Sequence, residues 1–225
     1  TPTDQGTEVL LSLDRMSRII DVDAADNSIT VEAGAILKTV QEAADAAGRL
    51  FPLSLGSEGS CRIGGNLSTN AGGLNVIAYG NTRDLCLGLE VVLADGRIWN
   101  GLKRLRKDNT GYDLRNMFIG AEGTLGVITA AVMKLYPRPK SYETAFIAVP
   151  DPQAAVDLLS LTKEMSGNRV TAFELIVDLA LQFTIRHMGT RNPLSAASPW
   201  YVLAELSDPV EGSLTALLET AMERG

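Results

Sequence analysis

The stretch that decides the fold reads PLSLGSEGSCRIGGNLSTNAGG and runs from Pro52 to Gly73. Its second half, IGGNLSTNAGG, holds four glycines in eleven residues. Glycines let a backbone approach a ligand closely and turn successive N–H groups toward an anion. The intervening serine, threonine and asparagine side chains are short neutral donors suited to a pyrophosphate, ribityl hydroxyls or a heteroaromatic ring. Neither the Walker pattern nor G-x-G-x-x-G after a strand is matched, and a structural glycine turn is the alternative interpretation.

The wider segment, residues 50–83, lacks helical or strand periodicity. A loop of that length inside a compact domain is uncommon and is usually functional or disordered. Because its composition is not repetitive and Ile63, Leu67 and Leu74 can anchor it, we predict an ordered binding loop rather than a disordered one.

The flanking chain alternates strands and helices. Strands are predicted over residues 8–13, 18–23, 28–33, 85–101 (a hairpin turning at Asp95-Gly96), 125–136, 143–149, 170–177 (a strand or the approach to a helix) and 200–207. Helices are predicted over residues 36–47, within 102–123, and over 152–165, 178–188 and 211–224. Pro137 and Pro139 indicate a domain boundary. This order predicts an α+β fold with α/β-like features.

The charge excludes two classes of partner. A net charge of -7 and a pI near 4.8 argue against nucleic acid and anionic membranes. No apolar run approaches the roughly 20 residues of a membrane span, and residues 1–7 lack the pattern of a secretory signal. The basic segment Lys103–Lys107 is either a solvated loop or an attractor of an anionic ligand.

The counts of cysteine and histidine limit the chemistry. Cys61 and Cys86 are too few for a disulfide scaffold, so we expect structural thiols in a reducing compartment, and no spacing suggests zinc. With His187 as its one histidine, the chain cannot by itself supply a histidine pair or a multi-histidine metal site.

Two further segments carry a functional pattern, KDNTGYDL (107–114) and IGAEGTLGVIT (119–129). Gly120, Gly123 and Gly126 surround Glu122, which suggests a tight turn feeding a buried strand. Glu122 is interpreted as a carboxylate that caps backbone N–H groups, with a general base as the alternative.

Taken together, the chain resembles the FAD-linked oxidases of the vanillyl-alcohol oxidase/PCMH type. Four segments carry the resemblance in the same order: PLSLGSEGSCRIGGNLSTNAGG, GLEVVLADG, LRKDNTGYDL and FIGAEGTLGVIT. The resemblance covers roughly residues 8–140, and the most similar branch comprises the D-2-hydroxyglutarate, D-lactate and glycolate dehydrogenases.

The resemblance implies an FAD-binding domain over residues 1–140 and the start of a substrate (cap) domain over 141–225. It implies that FAD is lined by Pro52, Leu53, Gly56, Ser57, Gly59, Ser60, Gly64, Gly65, Asn66, Thr69, Asn70, Gly72, Gly73, Glu122, Gly123, Gly126, Val127 and Ile128. Family members also have an earlier glycine-rich phosphate loop and later histidine-containing metal and catalytic segments, which have no counterpart here. We therefore expect an internal fragment, with the catalytic residues and the ligands of a divalent metal such as Zn²⁺ outside this chain.

The segment from Phe173 to Ser207 resembles the D-2-hydroxyglutarate branch. Arginine suits a bidentate grip on a substrate carboxylate, so Arg186 and Thr190 are the substrate candidates and Arg191 a weaker one. A solvated helix-end arginine is the alternative in each case. His187 is interpreted as a surface or packing residue, with a proton acceptor as its alternative.

The expected activity is FAD-dependent oxidation of a D-2-hydroxy acid to the 2-oxo acid. D-2-hydroxyglutarate is the first expectation, and D-lactate or glycolate are the alternatives within the family. An electron acceptor is implied, a homodimer is compatible with the resemblance, and the expected location is the cytoplasm, or the mitochondrial matrix in a eukaryote. A non-catalytic scaffold that retains the fold and an enolpyruvyl reductase are the alternatives from other classes.

Overall fold

Antiparallel sheets organise the chain, whose computed structural model describes residues 4–209 and 212–224. The strands are β1 (Ile19–Asp23), β2 (Ser28–Glu32), β3 (Arg49–Leu50), β4 (Cys86–Val92), β5 (Ile98–Gly101), β6 (Val127–Lys134), β7 (Tyr136–Pro137), β8 (Tyr142–Val149), β9 (Val170–Val177) and β10 (Trp200–Ser207). The helices are α1 (Leu37–Ala46), α2 (Ile63–Ser68), α3 (Val76–Tyr79), α4 (Thr82–Leu85), α5 (Arg115–Phe118), α6 (Pro152–Met165), α7 (Asp178–Met188) and α8 (Ser213–Arg224).

The first compact unit contains the chain up to Gly72 and Asn81–Arg138. Its sheet has the strand order β1-β2-β6-β4-β5, with every neighbouring pair antiparallel. The central strand, β6, reads VITAAVMK and buries all six of its inner residues, because it is paired on both edges and covered on both faces. Burying a side chain such as Val or Met contributes about 1.5–3 kcal/mol, so this strand is the centre of the core.

Helix α1 packs beside β3 and beside β1, an edge strand of this sheet. Its buried residues, Leu37, Val40 and Ala44, recur at helical spacing and form one apolar face. Gly48, in a left-handed conformation with φ +67°, follows the helix, as expected of a residue that terminates one.

The second unit contains Gly73–Gly80 and the chain from Pro139 onward. Its sheet has the order β8-β10-β9, and β10 pairs antiparallel with both neighbours. Helix α6 begins where the Asp151 carboxylate accepts a hydrogen bond from the Ala154 N–H, and Pro152 takes the first helical position. Residues of α6, α8 and the sheet share one apolar cluster.

Two expectations about the elements were wrong. Residues 8–13 form no strand, since none of the described strands pairs with them, and Val9 is 92% exposed. Residues 50–83 contain the short helices α2 and α3 and the start of α4 rather than loop alone. The α+β fold class is confirmed, as are the hairpin at Asp95-Gly96 and the helix and strand order after Pro139.

Candidate functional site

Residues 53–58 are held against α1 by three side-chain hydrogen bonds. Gln41 donates to the Leu53 carbonyl oxygen (2.8 Å) and to Glu58 Oε2 (3.2 Å). Lys38 Nζ donates to Glu58 Oε1 over 3.2 Å. The hydrogen bond from Gln41 and then that from Lys38 lower the pKa of Glu58 from its ordinary value of 4.5. The glycine-rich segment is therefore an ordered surface attached to a helix.

The glycines of this segment are of two kinds. A Cβ on Gly64 would lie 2.8 Å from the Cβ of Ala33, so only glycine lets α2 pack there. A Cβ on Gly56, Gly59 or Gly65 would meet nothing within 4 Å, and all three residues are exposed. The N–H of Gly65 also has no acceptor in the part of the chain that the structure describes. These open glycines leave the backbone accessible to another molecule.

Two segments far apart in sequence meet at the C-terminal end of α2. The Gly120 N–H donates to the Leu67 carbonyl oxygen over 3.0 Å, and the Glu122 N–H donates to the Ser68 carbonyl oxygen over 2.9 Å. Carbonyl groups at a helix end lack intrahelical partners, so these bonds satisfy them. The segments IGGNLSTNAGG and IGAEGTLGVIT are thereby joined.

The backbone at this junction is unusually strained. Asn70 (φ +48°) and Glu122 (φ +51°) adopt left-handed conformations that non-glycine residues avoid, and Gly120 and Gly123 both have φ +79°. Such conformations cost about 1–3 kcal/mol each for a residue with a side chain and cluster at ligand sites.

Sequence reasoning missed Arg83, which connects the same segments. Its backbone N–H donates to Asn70 Oδ1 (2.9 Å), and its guanidinium donates to the carbonyl oxygens of Asn116 (2.7 Å) and Ile119 (2.5 Å). The side chain is placed by α4, which begins with a capping box formed by Asn81 and Asp84. That capping pattern was the one signal in the sequence for an ordered helix here.

The residues expected to line FAD differ in accessibility. Exposed are Gly56, Ser57, Gly59, Ser60, Gly65, Thr69, Gly73, Glu122 and Gly123; half-buried are Asn70, Gly72, Gly126 and Val127; buried are Pro52, Leu53, Gly64, Asn66 and Ile128. Asn66, which is 5% exposed, donates to Cys61 Sγ over 3.6 Å. The buried members can support a ligand surface through packing but do not present their side chains to solvent.

Gly126 is required by packing. A Cβ there would lie 2.7 Å from Val91 Cγ1 and 2.8 Å from the Val92 carbonyl oxygen, and its φ is +157°. Its role is therefore to let the chain enter β6 beside β4.

The Glu122 side chain is exposed and accepts no hydrogen bond from the described residues. The interpretation as a backbone-capping carboxylate was wrong, because the residue bonds through its own N–H instead.

The substrate candidates lie on α7 and just after it, in the second unit. Helix α7 has no buried residue. Arg186, Thr190 and Arg191 are exposed, and within the described ranges no carboxylate pairs with either arginine. Asp178, at the start of α7, accepts a hydrogen bond from the hydroxyl of the fully buried Tyr201 (3.1 Å). The helix, anchored at its N-terminus, thus presents Arg186 to solvent, and Arg191 follows it in the exposed segment after the helix.

His187 stacks on Phe183, with ring centroids 5.8 Å apart and an interplanar angle of 17°. Both residues are exposed on α7. This contact agrees with the surface-packing interpretation of His187.

Lys103 and Arg104, two of the four cations of the basic segment Lys103–Lys107, pair with carboxylates of the described chain. Arg104 lies 2.5 Å from Asp21, and Lys103 lies 2.9 Å from Asp108. Arg106 donates to the Asp26 and Asn27 carbonyl oxygens. These contacts favour the solvated-loop interpretation over an anion site.

Neither cysteine is in a disulfide. Burial raises the pKa of Cys86 to about 12, an effect that the nearby Arg115 opposes. The Cys86 thiol is therefore unreactive at neutral pH.

Two kinds of feature are absent from residues 4–209 and 212–224. They contain no group of three or more His, Cys, Asp and Glu side chains placed to hold a metal ion. Their helices include none with the length and apolarity to span a membrane.

Comparison with known proteins identifies relatives of the chain. Residues 2–101 match the family described as FAD binding domain. The mitochondrial D-2-hydroxyglutarate dehydrogenase of Rattus norvegicus is 42% identical over 222 residues, which cover 97% of this chain and 41% of that protein. The Arabidopsis thaliana protein of the same name is 40% identical over 223 residues, covering 97% of this chain and 40% of the relative.

A Schizosaccharomyces pombe protein provisionally named mitochondrial D-lactate dehydrogenase is 38% identical, covering 96% of this chain and 42% of its own length. Among solved structures, alkyldihydroxyacetonephosphate synthase superimposes with a TM-score of 0.73 at 19% identity, over 93% of this chain and 40% of that one. That likeness shows a shared fold. The chain thus spans about two fifths of the length of these relatives.

Proposed function

Because the chain belongs to the FAD-linked oxidase family of the vanillyl-alcohol oxidase/PCMH type, we propose that residues 52–73 and 119–128 form part of its FAD-binding surface. The observation that carries this proposal is the junction at the end of α2. There, Gly120 and Glu122 bond to the carbonyl groups of Leu67 and Ser68, next to the open backbone of Gly65.

The residues present fit a flavin nucleotide. FAD is a long, flat, anionic ligand that needs close backbone approach and many neutral donors. The exposed Gly56, Gly59 and Gly65 provide backbone that no neighbouring atom covers, and Ser57 and Thr69 provide exposed hydroxyls. A Cβ at position 65 would meet no atom within 4 Å, so packing within the protein does not explain why this residue has no side chain.

When bound, FAD would accept a hydride at N5 from the Cα of a 2-hydroxy acid, and the chemistry of that transfer belongs to the cofactor. The residues of this chain would bind and orient the reactants. Arg186, which is exposed and unpaired in the described chain, would bind a substrate carboxylate, and Thr190 would donate to it. The proton acceptor for the hydroxyl group is not assigned to any residue of this chain.

The proposed substrate is a D-2-hydroxy acid, with D-2-hydroxyglutarate first, since two relatives at 40–42% identity carry that name. D-Lactate is the second candidate, favoured by the name of the S. pombe relative. A non-catalytic scaffold is the alternative from a different class.

Several further assignments are part of the same proposal. Residues 1–140 are assigned to the FAD-binding domain and residues 141–225 to the substrate domain. The divalent metal, an electron acceptor, a homodimer and a location in the cytoplasm or mitochondrial matrix stay predictions.

The test uses the complete product of the gene that encodes this chain, desalted after incubation with FAD. A retained visible flavin band that D-2-hydroxyglutarate bleaches, and L-2-hydroxyglutarate does not, is the expected result. A retained band that D-lactate alone bleaches would select the second substrate. A band that no 2-hydroxy acid bleaches would favour the scaffold, and a colourless protein would refute the FAD surface.

A further inference from the structure

We propose that Arg83 is a positioning residue for FAD, which holds the turn at Asn70 and the segment 116–120 in the arrangement that cofactor binding requires. The inference rests on the proposed FAD surface and deepens it, because Arg83 is absent from the residues that the family resemblance implies.

The hydrogen bonds of Arg83 reach both parts of the surface. Through its backbone N–H it holds Asn70, which has φ +48°. Through its guanidinium it holds the carbonyl oxygens of Asn116 and Ile119, and Asn116 Oδ1 at 3.2 Å. Residue 119 directly precedes Gly120, whose N–H bonds to Leu67. The guanidinium therefore holds the segment after α5 beside the end of α2, in addition to the backbone bonds of Gly120 and Glu122.

The Arg83 guanidinium donates its hydrogen bonds to the protein and is not free to bind a phosphate. Nη1 donates to Asn116 and Nη2 to Ile119. The guanidinium also covers Gly120, where a Cβ would lie 3.2 Å from Nη2. Arg83 is therefore placed to act through the backbone of its neighbours, as a residue that supports a binding surface.

Lysine cannot replace this arrangement. The planar guanidinium donates in two directions at fixed angles, whereas an ammonium group is a single point of charge on a flexible stem. Arg83→Lys keeps the charge and the length of the side chain but removes the simultaneous bonds to residues 116 and 119.

The chain offers a matched control in Arg49. Its guanidinium also binds backbone carbonyl groups, that of Ala24 through Nε (3.1 Å) and Nη2 (2.7 Å) and that of Gly48 through Nη1 (3.0 Å). None of these carbonyls belongs to the glycine-rich segment or to residues 116–122. Arg49→Lys therefore removes a comparable set of structural bonds elsewhere in the same unit.

The experiment measures the FAD dissociation constant, the visible circular dichroism of the bound flavin and the melting temperature of the apoprotein, all in the complete gene product. Both variants should lower the apoprotein melting temperature. Arg83→Lys should raise the FAD dissociation constant at least tenfold and change the shape of the flavin dichroism spectrum. Arg49→Lys should change the dissociation constant by less than threefold and leave the shape of that spectrum unaltered. If Arg83 were purely structural, Arg83→Lys would lower the melting temperature but bind FAD as Arg49→Lys does. That result would overturn the proposal.

A second variant covers the case in which Arg83→Lys does not fold. Asn116→Ala removes one acceptor of the guanidinium and keeps the carbonyl group. A threefold or greater rise in the dissociation constant supports the proposal, and no rise overturns it. Failure of the unmodified protein to bind FAD would instead refute the FAD surface itself, so the two failures are distinguishable.

Discussion

Gly64 lies so close to Ala33 that a Cβ on residue 64 would stand 2.8 Å from the Ala33 Cβ, whereas the next residue, Gly65, faces open space. Adjacent glycines in one short helix therefore serve different purposes. The first permits packing, and the second leaves a surface bare.

Gly65→Val tests the bare surface. Valine has a somewhat higher helix propensity than glycine, so the free energy of unfolding of the apoprotein should not fall. The affinity for FAD should fall at least tenfold, which corresponds to about 1.4 kcal/mol, as measured by flavin titration. Thr39→Val, on the exposed face of α1, is the control and should change neither quantity. Unchanged flavin affinity in Gly65→Val would remove this residue from the binding surface.

Gly120→Ala tests the junction. Residue 120 has φ +79° and its Cβ would press on the Arg83 guanidinium, so we expect a loss of about 1–3 kcal/mol in the free energy of unfolding. Gly48→Ala shares a positive φ (+67°) but meets no atom within 4 Å. Urea unfolding of both variants measures the difference, and FAD affinity should fall in Gly120→Ala alone. Equal losses of unfolding free energy in the two variants would mean that the contact of residue 120 with Arg83 does not contribute to stability.

Glu32 gives a pH dependence. Hydrogen bonds from the Arg18 guanidinium (2.7 and 3.0 Å) and backbone N–H (2.8 Å) lower the pKa of Glu32 from its ordinary value of 4.5. A carboxylate with a lowered pKa in the folded state stabilises the protein above the pKa of the unfolded chain. This contribution is lost as the pH falls below 4.5 and through the folded-state pKa.

Glu32→Gln should therefore lower the urea midpoint at pH 7, and the gap to the unmodified protein should narrow progressively in acid. Glu42→Gln, at an exposed position of α1, is the control with no expected gap at pH 7. A gap for Glu32→Gln that is constant across the whole acid range would show that the ionised carboxylate is not the source of the stabilisation.

Arg186→Lys tests the substrate proposal. Loss of a hydrogen bond to a charged group costs about 1.5–3 kcal/mol, so KM for the 2-hydroxy acid should rise about 10- to 100-fold, measured with an artificial electron acceptor. The FAD content should be unaltered. Lys163→Gln, on the exposed surface of α6 in the same unit, should leave KM unchanged. An equal change of KM in both variants would show that Arg186 makes no specific contact with the substrate.

Local patterns predicted most of the elements but not how they meet. Leu37, Val40 and Ala44 repeat at helical spacing, so α1 could be predicted from its own residues. Helix α2 could not, because two adjacent glycines disfavour a helix, and its first N–H groups bond to carbonyls more than 25 residues earlier, from Ile63 to Ala35 and from Gly64 to Ala33.

Arg83 was missed for the same reason, since its carbonyl partners lie 33 and 36 residues further along the chain. The predicted strand at 8–13 shows the converse error. A short apolar run favours a strand, but pairing requires a neighbour that no local pattern identifies.

The absence of buried residues in α7 has a consequence for its motion. A helix held mainly at one end opens at a free energy well below that of global unfolding, and its amide hydrogens exchange with deuterium early. The amides of β10, which include that of the fully buried Tyr201, should exchange only when the whole unit unfolds. Binding of a ligand at Arg186 would then slow the exchange of the α7 amide hydrogens with deuterium. The exchange rate of this helix would therefore measure how much of the protein holds substrate.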